Sequence, residues 1–124
     1  MTSKRSKSGV VHNIVDIPWQ QYPGHFGGAL SKPLVRPETA GSKQIDYRIS
    51  TYLPMAYVER HAHKIQEQVY HVLEGEGVLE LGEETHVVRK HDVITIPPGV
   101  PHAIRNEGLG NLTFIVVTVP PDDA

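Results

Sequence analysis

The sequence predicts an all-β fold, an antiparallel sandwich or barrel, on three observations. Runs rich in β-branched and aromatic residues recur at 48–53, 69–73, 77–81, 93–96 and 114–119, and such side chains suit a pleated, half-buried surface. Turn chemistry separates them, at Leu53-Pro54, Glu74-Gly75-Glu76-Gly77, Gly82-Glu83-Glu84, Pro97-Pro98-Gly99 and Asn106-Glu107-Gly108. No segment carries a helical stripe with caps. Many short strands at this spacing close into a sandwich or barrel.

In chain order, residues 1–9 carry Lys4, Arg5 and Lys7 and are expected to be a disordered tail. The body, residues 10–124, is expected to be one domain, because a chain of 124 residues buries roughly two-thirds of its unfolded surface. Segment 16–28 reads as a loop through Pro18, Pro23, Gly24, Gly27 and Gly28, with Trp19 and Tyr22 as anchors onto the body. From residue 29 onward the pattern is almost wholly β.

Composition removes several classes of function. With a net charge of -2 and Lys4-Arg5-Lys7 as the sole basic cluster, the chain lacks the footprint that phosphate backbones require, so no nucleic-acid partner is expected. The absence of cysteine excludes disulfides, zinc–thiolate sites and thiol nucleophiles. No apolar run approaches the ~20 residues of a membrane span, and Val10-Val11 gives way at once to His12-Asn13. A cytoplasmic protein without a membrane partner is the expectation.

Eight histidines stand out: His12, His25, His61, His63, His71, His86, His91 and His102. Imidazole is the commonest metal-ligand side chain. In His61-Ala62-His63, residues i and i+2 of a strand point to one face, so both rings are in reach of one ion. Downstream, the stretch 66–77 is a strand that ends in a glycine turn. Further on, Pro97-Pro98-Gly99 is a rigid corner that delivers His102 to the start of another strand. Two such segments can build one site inside a barrel.

Those two segments resemble the paired motifs of the cupin superfamily, and of its small single-domain members. The first is His61-x-His63 running to Gly75; the second is Pro97-Pro98-Gly99, then His102, then Asn106. The resemblance implies a double-stranded β-helix, an antiparallel jelly-roll barrel, around a metal held by His61, His63, His102 and a fourth ligand. The family usually has Glu six residues before the glycine, where this chain has Gln68, with Glu67 one place earlier. Counting back from Gly75 favours Gln68, and some cupins that rearrange unsaturated uronate sugars have Glu-Gln here with Gln as ligand. The alternative is that Gln68 fills the pocket and water completes the shell. His91 replaces the glycine that opens the second motif; histidine tolerates positive φ, so it reads as a turn residue. His71 and His86 are expected to face solvent or a subunit contact.

Three neutral imidazoles and a neutral amide leave the full dipositive charge on the ion, which strengthens its Lewis acidity. One divalent transition metal per chain is expected, among Zn, Ni, Mn, Fe and Co, because affinity order alone does not choose. The ligand set points to an isomerase or lyase acting on a small oxygen-rich acid, carbonyl or sugar derivative. An Fe(II)-dependent dioxygenase and a non-catalytic small-molecule or sugar-binding protein are the alternatives. Tyr70 and Tyr57 are candidate acid–base groups on the faces of Gln68 and His61, each also readable as a core or interface aromatic. Arg48 is a candidate partner for a substrate carboxylate, and Ile104 shares the face of His102. The resemblance further implies a homodimer, with residues 10–15 as a strand exchanged between subunits.

Overall fold

The computed structural model describes residues 9–123 and, as backbone, residues 4–6. Residues 1–3, 7 and 8 of the expected tail lie outside the described residues. Among the described residues twelve strands are formed: β1 (Lys4–Ser6), β2 (Gly9–Val11), β3 (His25–Phe26), β4 (Ala29–Val35), β5 (Asp46–Tyr52), β6 (Tyr57–Val58), β7 (Glu67–Glu74), β8 (Glu76–Leu81), β9 (Glu84–Arg89), β10 (Val93–Ile96), β11 (His102–Arg105) and β12 (Leu112–Val119). One helical turn, α1 (Pro37–Ala40), opens on Pro37, whose fixed φ suits a first helical position, and stops at Gly41 with φ 72°. No described helix is long and apolar enough to cross a membrane.

The stretch 10–15 does not continue as one strand. It leaves β2 at Val11 and enters a 3-10 turn, Ile14–Asp16, because Asn13 and Asp16 form a reciprocal capping box there.

Two five-stranded sheets, ordered β10-β7-β12-β5-β4 and β3-β6-β11-β8-β9, make the body. Val72 and Phe114 of one sheet and Leu79, Val88 and Ile104 of the other meet in a single apolar core. Alternation along β7 and β12 is strict: even-numbered residues from 68 to 72 and from 112 to 118 are buried, and their neighbours are not.

The register lays the inward side chains in rows across the first sheet. Leu112 stands opposite Tyr52, and Tyr52 opposite Ala29; Phe114 faces Val72 on one side and Ser50 on the other. Val116 pairs with Tyr70 and Arg48, and Thr118 with Gln68 and Asp46. The interior therefore grades from wholly apolar at one end to polar at the other within four rows. Ser31 and Ser50 pair their buried hydroxyls at 2.7 Å along the way.

Two motif residues are architectural. Gly75 has φ 82°, and a Cβ there would stand 2.2 Å from the Asn111 carbonyl oxygen, so the β7–β8 turn admits no side chain. Asn106 is buried; its Nδ2 donates to the carbonyls of Tyr52 and Gly110, both at 2.8 Å, and its Oδ1 accepts from Gly108 N at 2.9 Å. It ties the 106–110 turn to β5. His91 adopts φ 74°, the turn geometry expected of it.

Candidate metal centre

The polar end of the interior is also where the second sheet delivers its histidines. His102 opens β11, and His61 makes a lone two-way backbone bridge to it at 3.0 and 2.9 Å. His63 follows on a loop whose carbonyl accepts from Gly99 N at 2.7 Å, which ties it to the Pro-Pro-Gly corner. The ring centroids lie 5.0 Å apart for His61–His63, 4.3 Å for His61–His102 and 5.4 Å for His63–His102.

One ligand-capable nitrogen from each ring falls within 4.8 Å of the others. That is close to the roughly 4 Å between opposite ligands of one ion with ~2.1 Å metal–nitrogen bonds. The backbone fixes two of the tautomers. His61 Nδ1 donates to the Glu59 carbonyl at 2.8 Å and His102 Nδ1 to the Val100 carbonyl at 2.9 Å, which leaves each Nε2 with a lone pair.

Three buried polar atoms have no hydrogen-bond partner here: His63 Nε2, His102 Nε2 and Gln68 Oε1. A buried polar atom without a partner costs about 1–3 kcal/mol; two of these belong to the histidine cluster and the third to Gln68, in the wall of the same cavity, a set that fits an electrophile such as a metal ion. The Gln68 amide is oriented by its Nε2, which donates to Thr118 Oγ1 at 3.0 Å, the neighbour that register places beside it. Glu67, the other candidate, is exposed on the opposite face of β7.

The electrostatics favour neutral ligands. Burial lowers the pKa of His102 to about 4, and nearby His61 and His63 lower it further in smaller measure. Burial, then His61, lowers that of His63. Burial thus favours the neutral, lone-pair-bearing form of both rings.

A cavity of about 180 Å³ opens on this cluster, walled by His61, His63, Gln66, Gln68 and Tyr70, and by Arg48, Asp46, Tyr52 and His25. Tyr70 is buried, with its ring 6.3 Å from that of His102, and burial raises its pKa so that the phenol keeps its proton. Arg48 shares a row with Val116 and Tyr70. Its Nε and Nη2 donate to Asp46 at 2.8 Å each, and its guanidinium lies 4.5 Å from the Tyr22 ring centre.

Tyr57 and Ile104 do not join this group. Tyr57 is exposed on the outer face, its ring 5.3 Å from that of Phe26. The alternation that puts it on the face of His61 fails because β6 is two residues long and the chain from 59 onward leaves the ladder. Ile104 does share the inward face of His102, but deeper, in the core cluster.

Sequence reasoning passed over His25 and Asp46. His25 Nδ1 donates to the Pro23 carbonyl at 3.0 Å, so its Nε2 is an acceptor at the cavity wall. Its place in a Pro/Gly-rich loop gave no periodicity to read. Asp46 is buried between Arg48 and Arg36, whose Nη1 donates to it at 2.6 Å; only the register identifies that pairing.

Residues 48–118 match the family described as the cupin domain. An uncharacterized protein of Methanocaldococcus jannaschii is 41% identical over 61 residues, 49% of this chain and 49% of that protein. The chain thus spans about half the length of the curated relative it matches. Among solved structures, a predicted oxalate decarboxylase from Thermotoga maritima aligns with a TM-score of 0.79 at 24% identity, covering 89% of this chain and 98% of that one. The polyketide cyclase RemF from Streptomyces resistomycificus aligns with a TM-score of 0.78 at 23% identity, covering 90% and 81%. At such identities the likeness is one of fold.

Proposed function

The chain belongs to the cupin family, and on that premise we propose that it is a metal-dependent enzyme of the isomerase or lyase type. Its substrate is a small oxygen-rich acid, carbonyl or sugar derivative. His61, His63, His102 and Gln68 hold one divalent transition ion, among Zn, Ni, Mn, Fe and Co. The observation that carries this reading is the clustering of His61, His63 and His102, with His63 Nε2, His102 Nε2 and Gln68 Oε1 all buried and without partners. A bound ion would supply Lewis acidity at this point, undiminished by any carboxylate ligand.

The chain's own residues do the rest. Arg48, pre-oriented by Asp46 and Tyr22, offers its remaining Nη1 to a substrate carboxylate. Tyr70, which keeps its proton, donates a hydrogen bond to a substrate oxygen beside His102. Tyr52 and Phe114 wall the inner side and exclude water.

The test is a turnover screen with the protein loaded in turn with Zn, Ni, Mn, Co and Fe(II). Substrates are small hydroxy and keto acids and unsaturated sugar acids, with oxygen uptake followed alongside. Isomerisation or elimination without oxygen uptake supports the proposal. Uptake that requires Fe(II) replaces it with a dioxygenase. Saturable binding with no turnover under any metal replaces it with a binding protein.

A further inference from the structure

Past β12 the chain folds back across the histidine end of the barrel as a strap, residues 120–123. It is bonded to both sides of the cavity. Pro120 O accepts from Gln66 Nε2 at 3.1 Å, and Pro121 O from Arg36 Nη1 at 3.0 Å. Asp122 Oδ1 accepts from Arg36 Nη2 at 3.1 Å, and Pro121 is itself buried in the cavity wall.

Asp123 makes the tightest set. Its Oδ2 accepts from Lys64 N at 2.6 Å, and its Oδ1 accepts from Ile65 N at 2.7 Å and Gln66 N at 3.2 Å. These three consecutive amides belong to the loop between His63 and β7, which has no ladder partner to satisfy them. Backbone donors need acceptors, and an ionised carboxylate is roughly twice as strong an acceptor as a neutral group.

That loop has His63 at one end and leads into β7, with Gln68 its second residue, at the other. Its shape sets the spacing between two of the four candidate ligands. We propose that Asp123 is a positioning residue of the metal centre: by gathering the amides of Lys64, Ile65 and Gln66 it holds the loop that presents His63 and Gln68. The proposal rests on the metal-binding reading above. Asp123 is in no position to act as a ligand through those oxygens, since both are engaged with the backbone.

The test compares full-length wild type with Asp123→Ala, Asp123→Asn and Asp122→Asn. Co²⁺ affinity and the visible spectrum of the Co²⁺ complex are measured, with amide exchange of residues 64–66 in chelator-treated protein. Asp123→Ala is expected to bind Co²⁺ about tenfold more weakly, as loss of a supporting hydrogen bond does elsewhere. Its Co²⁺ bands shift at saturation and its three amides exchange at least about tenfold faster, about 1.4 kcal/mol of lost protection. Asp123→Asn, which keeps an acceptor oxygen, falls between, and Asp122→Asn, which removes the same charge next door, matches wild type.

Unchanged affinity or unchanged exchange in Asp123→Ala overturns the proposal. So does an equal loss in Asp122→Asn, which would assign the effect to charge alone. Should wild type take up no Co²⁺, the metal reading fails and takes this role with it, while the exchange data still report whether Asp123 holds the loop.

Discussion

The two ends of the barrel interior are built on the same strands and differ only in which rows they contribute. At one end, Leu112, Tyr52, Phe114 and Val72 pack with Leu79 and Ile104. At the other, Thr118, Gln68, Asp46 and Arg48 line a cavity with His61 and His63, which cluster with His102. The apolar end satisfies itself, since Leu112, Phe114, Val72, Leu79 and Ile104 carry no group that needs a hydrogen bond. The polar end is satisfied only in part, leaving three partnerless buried atoms. A cavity is kept where the sequence declines to finish its own packing, and that unfinished part is the region fitted to a ligand.

Substitutions at the two ends should therefore separate. His102→Ala is expected to abolish metal uptake, from about one ion per chain to none by elemental analysis, with the far-ultraviolet circular dichroism of a β protein retained. Retained metal would move the centre elsewhere. Leu112→Ala at the apolar end, a core residue that does not line the cavity, is expected to cost about 2–5 kcal/mol in urea unfolding while metal content per folded chain stays the same. A parallel loss of metal would join the two ends into one unit.

Acid sharpens the contrast. In chelator-treated protein the unfolded chain takes up a proton on residue 102 near pH 6.5, whereas the buried ring waits until about 4. Stability contributed by the neutral ring is whole above 6.5 and falls between those values, by on the order of 3 kcal/mol. His102→Ala should flatten that part of the pH profile of unfolding midpoints. An equally steep profile would assign the effect to other groups. Smallest of all is Tyr57→Phe, expected to stay within about 0.5 kcal/mol of wild type with ligand binding intact, against Tyr70→Phe, which removes a hydroxyl from the cavity. If Tyr57→Phe impairs binding, the outer face has a role in the site.

Much of this was readable from the residues. The runs at 69–73, 77–81, 93–96 and 114–119 lie in β7, β8, β10 and β12, and that at 48–53 in β5 but for Leu53, because alternation and turn residues are local. The histidine trio was readable for the same reason: His61 and His63 are neighbours, and the Pro-Pro-Gly corner announces His102. Gln68 rather than Glu67 lines the cavity because parity holds along an unbroken strand. Parity failed for Tyr57 where the ladder breaks. Arg36, Asp46, His25 and Asp123 were invisible because their partners lie far off in sequence or on a loop, and no local period marks such a pairing.

The row that joins Gln68, Thr118 and Asp46 has one more consequence. Side chains alternate at every residue, so a slip of β7 by a single position would withdraw Gln68 and Tyr70 and turn Val69 and His71 inward. No such slip could keep the amide beside Thr118. The chemistry of the cavity and the pairing of the strands are thus one variable, and a preparation's ability to assemble this constellation is a gauge of how faithfully its sheets have zipped.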